Sequence, residues 1–187
     1  MAKWKKSSMK LKDNHGWRYS PGHQICVIGR GLMQFEYPVH WIVKPTDTSI
    51  KLHDRVPPLD DIVLEISVMP MRPIRWDDVN LTKIFQDNLM QSAEEIFTDE
   101  EVNEYDRDGI EMVWGEYRRI ETDPKDDSLR EAVWRSAMAH EGDTVVVITY
   151  GFWSEFYDKA ASVWNHFLET IIMNRMIDDP AQGPRFQ

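Results

Sequence analysis

The chain has 187 residues, a net charge of −10, a pI near 5.0, 42% apolar residues and eight tryptophans, enough for one domain around one sizeable core. That acidic balance argues against a nucleic-acid binder, whose affinity rests on neutralising phosphates. A lone cysteine, Cys26, excludes an intramolecular disulfide and a Cys-based zinc site, and no apolar run approaches the roughly 20 residues of a membrane span.

Residues 1–22 read as a basic flexible leader: Lys3, Lys5, Lys6, Lys10 and Lys12 precede the first acid, and Gly16, Pro21 and Gly22 interrupt any regular element. A basic start of this kind leaves peripheral contact of residues 1–12 with an anionic surface open. It lacks the apolar stretch of a signal peptide, and no lipid-attachment cysteine lies near it, so the expected place is the cytoplasm.

A single domain is expected over residues 23–177. His23–Ile28 and Leu32–Tyr37 form the first strand pair, joined by Gly29-Arg30-Gly31, with Met33, Phe35 and Tyr37 alternating against Gln34 and Glu36. Trp41 and Val43 pack back onto the sheet, and Thr48–Leu52 forms a short strand. Pro57-Pro58 makes the loop Asp54–Asp61 irregular, and Ile62–Met69 alternates cleanly into a strand. A helix is predicted from about Asp78 to Phe97, capped by Asp77 or Asp78, with Leu81, Ile84, Phe85, Leu89, Ala93 and Ile96 as its buried stripe.

Strands return with Val102–Asp106 and Ile110–Arg119 around the Arg107-Asp108-Gly109 turn, then Leu129–His140, then Thr144–Phe152. Val145–Ile148 is apolar in both registers, as a central strand covered on two faces would be. Ser154 is the expected N-cap of a long closing helix whose stripe is Phe156, Ala160, Trp164, Phe167, Leu168 and Ile171. Residues 178–187 read as a loose tail. Hairpin-length connections demand antiparallel pairing, so the fold class is α+β: an antiparallel β-sheet with a helix inserted midway and a long C-terminal helix, an αβα sandwich.

The residues that carry chemistry do not assemble into a recognisable site. Asp99–Gly109 is acidic, but Gly115 stands where a calcium loop needs its bidentate glutamate. Gly29-Arg30-Gly31 lacks the third glycine and following helix of a dinucleotide fingerprint, and no Walker A sequence exists. His15, His23, His40, His53, His140 and His166 show no metal-ligand spacing and read as surface or capping histidines. Ser154, Asp158 and His166 fail as a triad, because His166 lies two helical turns beyond reach. No catalytic residue, metal or cofactor is therefore assigned. The aromatics Trp114, Tyr117, Trp134, Tyr150, Phe152 and Trp153 fall on three neighbouring strands. They pack as core, or, where they face outward, form an apolar recognition surface, with Trp114, Tyr117, Trp134, Tyr150 and Trp153 as its binding residues.

With this element order, Phe35-Glu36-Tyr37-Pro38-Val39-His40-Trp41, the Gly109–Tyr117 strand and the closing unit Thr149-Tyr150-Gly151 into Phe156–Ile171 resemble segments of the PsbP-like/DcrB-like superfamily, whose fold a yeast Ran-binding nuclear-import factor shares. The resemblance spans roughly residues 24–173. It implies an αβα sandwich and no shared enzyme activity, since members support photosystem II, bind a small GTPase, or serve as lipoproteins and chaperones. No site residue transfers from it. The expected function is that of a non-catalytic protein-binding adaptor or chaperone-like module whose partner is another protein. The alternative is a small-ligand or enzymatic site between sheet and helix, using Glu116 with Arg118 or Arg135.

Overall fold

The computed structural model describes residues 5–72, 75–76, 79–87 and 102–184. In chain order its elements are β1 (His23–Ile28), β2 (Met33–Pro38), β3 (Ile42–Pro45), β4 (Ile50–His53), β5 (Ile62–Pro70), α1 (Leu81–Phe85), β6 (Val102–Arg107), β7 (Ile110–Thr122), β8 (Leu129–Glu141), β9 (Thr144–Trp153), α2 (Tyr157–Thr170) and β10 (Ile172–Met173). The molecule is an α+β fold built on antiparallel strands.

Seven strands form the main sheet in the order β3-β4-β5-β9-β8-β7-β6, every neighbour antiparallel. The valine run sits in β9 between β5 and β8, with Val146 and Ile148 buried on one face, and Val145 buried and Val147 half-buried on the other. The hairpin between β6 and β7 turns at Asp108 and Gly109, both with positive φ, so the described part of the acidic stretch, residues 102–109, is strand and turn. A second sheet of three strands, β1-β2-β10, departs from the expectation of one sheet. Two residues after α2 create it: Ile172 and Met173 pair with Gln34 and Met33. Gly31 lets the β1–β2 turn nestle against the following segment, since a Cβ there would lie 2.0 Å from the Arg175 carbonyl oxygen.

The closing helix begins later than its sequence indicates. The chain leaves β9 at Trp153 directly into a 3-10 turn, Ser154–Phe156, so Ser154 lies inside that turn and provides no side-chain cap; Phe156 takes the cap position of α2. Ala160, Trp164, Phe167 and Ile171 are buried as the helical spacing requires. Trp164 is the pivot: its ring centroid lies 5.5 Å from Trp114, 5.5 Å from Tyr150 and 5.6 Å from Phe167. Ile62, Leu64 and Ile66 of β5 and Val146, Ile148 and Tyr150 of β9 continue the same core.

The described part of the inserted helix is short. Asn80 caps it, its side chain accepting from the Lys83 amide at 2.7 Å, and Leu81 and Phe85 bury against Val113, Val102 and Met138. Val113 and Met138 point away from the α2 side, so the two helices lie on opposite faces of the main sheet. The expected caps Asp77 and Asp78, and the stripe residues Leu89, Ala93 and Ile96, lie outside the described residues.

Leader and tail lie against each other. The Trp17 indole donates to the Pro180 carbonyl at 2.8 Å, Gly16 N–H donates to Gln182 at 2.7 Å, and Lys12 pairs with Asp179 at 2.5 Å. Among the described residues no helix is long and apolar enough to cross a membrane.

Candidate functional site

Strand alternation divides the aromatic set between the two faces of the sheet. Trp114 and Tyr150 point beneath α2, where Tyr150 is buried, donates its hydroxyl to the Ala160 carbonyl at 3.0 Å, and has its phenol pushed up by burial. Tyr117, Trp134 and Trp153 belong to the opposite register. The Trp134 ring lies flat over Gly151, where a Cβ would come 2.7 Å from it, so glycine is required for that contact. Its indole donates to Glu121 at 2.8 Å, and the Arg119 guanidinium sits 5.1 Å from the ring centroid. Trp153 is buried under Arg130, 4.4 Å above its ring.

Aromatic side chains pack between sheet and α2, and a charge lies among them. Arg135 is 4% exposed, with Nε and Nη2 each 2.8 Å from Glu116 Oε2. Its guanidinium lies 5.3–5.8 Å from the ring centroids of Trp114, Phe152, Tyr157 and Trp164. Glu116 and Arg135 therefore meet as the sequence pairing proposed, but as a buried ion pair among aromatic rings. Arg118 reaches outward to Glu131 at 3.2 Å.

One end of the main sheet combines apolar exposure with charge. Ile120 on β7 and Leu129 on β8 are 64% and 74% exposed, and Val56 and Leu59 in the neighbouring loop are 60% and 56% exposed. Lys125, from the β7–β8 connection, reaches Asp61 at the end of that loop and so joins the two segments. Between them lies a cleft of about 150 Å³ lined by Val63, Pro124, Ala132, Trp134, Gly151 and Trp153. Arg130 braces this end by pairing with both Asp123 and Glu155. Burial pushes both carboxyls up. Arg130 and backbone amides outweigh that effect and hold both below the usual carboxylate range.

A larger cleft, about 420 Å³, opens beyond the C-terminal end of α2, between β2, the β6–β7 turn and the leader. Gln34, Arg107, Glu141 and Arg175 line it. Gln34 is 5% exposed, and Gln34 Oε1 and Glu141 Oε2 are buried without a hydrogen-bond partner among the described residues, while Arg107 donates to the Glu169 and Ile171 carbonyls. Burial also pushes the Glu141 carboxyl up. Sequence reading missed this cleft because its walls come from segments far apart in the chain.

The histidines also depart from their sequence reading. His53 and His140 are buried, His53 bonded to Asp60 at 2.8 Å and His140 stacked on Trp76 at 3.9 Å between centroids. His23 and His166, far apart in sequence, stack at 4.1 Å between ring centroids, with Glu36 beside them. No sequence spacing signals that meeting.

A family model described as Alr1449 matches residues 24–177. The uncharacterized protein alr1449 of Nostoc sp. (strain PCC 7120) is 27% identical over 183 residues, covering 98% of this chain and 94% of the relative. Among solved structures, cyanobacterial PsbP (CyanoP) from Synechocystis sp. PCC 6803 aligns with a TM-score of 0.57 and 13% identity over 90% of this chain and 98% of its own. The Saccharomyces cerevisiae Ran-binding protein Mog1p aligns with a TM-score of 0.52 and 11% identity over 82% of this chain and 96% of its own. A Bacteroides thetaiotaomicron structure with a TM-score of 0.55 and 9% identity is spanned over about half its length, 49%. These likenesses establish a fold of the PsbP and Mog1 type, as the sequence resemblance implied.

Proposed function

The chain belongs to the Alr1449 family, and from that premise we propose that it is a non-catalytic module that binds another protein through the apolar end of its main sheet. The carrying observation is that Ile120 and Leu129 on β7 and β8, and Val56 and Leu59 in the loop before β5, are all more than half exposed at the end of the sheet where Lys125 joins that loop to the β7–β8 connection. Exposed apolar side chains beside charge are the anatomy of a recognition surface, and Lys125, Arg130 and Glu155 stand at the same end of the sheet to supply directional contacts. The use of the same fold by a Ran-binding protein supports a scaffold suited to partner recognition.

The test is affinity capture from the native cell with the wild-type chain and an Ile120→Glu, Leu129→Glu variant as baits. The expected result is a stoichiometric partner retained by wild type and lost by the variant. Recovery of the same proteins by both baits, or of no stoichiometric protein by wild type, would overturn it. A second reading, a small polar ligand in the larger cleft, is favoured by the buried atoms Gln34 Oε1 and Glu141 Oε2, which have no partner among the described residues. A negative capture, combined with ligand-induced thermal stabilisation that Gln34→Leu abolishes, would move the function there.

A further inference from the structure

We propose that His23, Glu36 and His166 form a binding site for a divalent transition-metal ion, with zinc as its representative. The three side chains come from the start of β1, the middle of β2 and the third turn of α2, and one ligand atom from each lies within 4.8 Å of the others. Two imidazoles and one carboxylate are a donor set for zinc and its first-row neighbours; calcium and magnesium take all-oxygen sets.

The geometry near the candidate ion is already close. His166 Nε2 lies 2.9 Å from Glu36 Oε2. Two donors bound at about 2.1 Å to one ion lie about 3.0 Å apart at a right angle and about 3.4 Å apart at the tetrahedral angle. Small side-chain rotations therefore convert the hydrogen bond into shared coordination, with release of the proton between the two groups. The stack of His23 on His166 puts the third ligand alongside, tilted by 30°.

The surroundings fix these ligands as metal sites require. His23 Nδ1 lies 3.2 Å from the Pro21 carbonyl oxygen, an acceptor only, so the hydrogen bond places the proton on Nδ1 and leaves the Nε2 lone pair for a metal. The Ser20 amide donates to Glu36 Oε2 at 3.0 Å. The Glu36 amide donates to Thr170 Oγ1 at 3.1 Å, and that hydroxyl donates to the His166 carbonyl at 2.8 Å. This relay ties β2 to α2 through the same two residues that supply the ligands. All three side chains are half-buried, which leaves room for a water or exogenous group in a fourth position.

The site is separate from the apolar sheet end, so its success or failure is read independently of the protein-binding proposal. The experiment is zinc titration of the chelator-treated chain in competition with a chromophoric chelator. One ion per wild-type chain is expected. His23→Ala, Glu36→Gln and His166→Ala should each weaken binding by more than about 100-fold, the upper range for loss of a mere supporting contact. The exposed His40→Ala variant should bind as wild type does. Glu36→Gln keeps the shape and hydrogen-bonding capacity of the side chain, so its loss of zinc with a native circular dichroism spectrum reports the ligand and not the fold. Cobalt(II) should give the intense visible bands of a four-coordinate ion in wild type alone. Absence of stoichiometric zinc in the folded wild type, survival of binding in all three variants, or only the faint spectrum of six-coordinate cobalt would overturn the proposal.

Discussion

Arg135 shows how much one residue can depend on its neighbours. Its guanidinium is buried among four aromatic rings and keeps one anionic partner, Glu116. The attraction offsets a desolvation cost that neither group could carry alone. Glu116→Gln should therefore destabilise the fold by about 3 kcal/mol, measured by urea unfolding, because it leaves a buried cation short of its counter-charge. Glu116→Leu combined with Arg135→Met should recover most of that loss, since apolar groups of similar volume suit the same space. If the double variant is as unstable as the single, the pair does more than satisfy itself. The sequence offered Glu116 with Arg118 or Arg135, without the register that sets Glu116 opposite Arg135. It could not reveal that four rings close over them, because two of those rings arrive from α2 and its first turn.

At the level of elements, periodicity was a faithful guide wherever one face is buried against a large partner. β5, β7, β8 and β9 fall within a few residues of their sequence bounds, and Ala160, Trp164, Phe167 and Ile171 of the expected stripe are buried, with Phe156 and Leu168 half-buried. It failed at short elements whose existence depends on distant segments. β10 is two residues long and owes its form to β2, and the 3-10 turn that displaced Ser154 follows from how β9 exits the sheet. The same dependence on distant partners governs the brace at that exit, where Arg130 of β8 holds Asp123 and Glu155. Both carboxyls titrate below their ordinary range, so the unfolded chain binds more protons than the folded one as the medium becomes acidic. Their contribution is complete above the ordinary carboxylate range of about 4 and is lost as pH falls through the lower folded values. Thermal melts from pH 7 to 2.5 should show stability declining below about pH 4. Arg130→Ala should lower stability at neutral pH and flatten that decline; an unchanged acid limb would show that other carboxylates control it.

For the whole molecule, the order of elements and the fold class were legible from alternation and turn signals, and the site geometry was not. Both clefts and the His23–Glu36–His166 group arise where leader, β2, α2 and the segment after it converge, or where two loops meet at a sheet end. None of these meetings leaves a local signature. The contact between leader and tail belongs to the same class. Trp17 is 9% exposed against the Pro180 carbonyl and Gly183. Trp17→Ala removes that hydrogen bond and its packing, worth roughly 1 kcal/mol or more together. Amide exchange at Gln182 and Gly183 should then accelerate by about tenfold while β9 stays protected. Equal acceleration in β9 would mean that the contact supports the entire sheet.

The open architecture of the main sheet has a bearing on how any partner can approach. β3 and β6 are its two outermost strands, and each has one side without a sheet neighbour among the described residues. β3 is only four residues long and ends on Lys44 and Pro45, while β6 displays Asn103, Glu104 and Asp106 to solvent. Brevity, proline and charge are the devices that discourage a foreign backbone from adding itself as a further strand. These features disfavour lateral addition of a strand, so a partner of the kind proposed would meet side chains at the sheet's end rather than an exposed ladder of peptide groups.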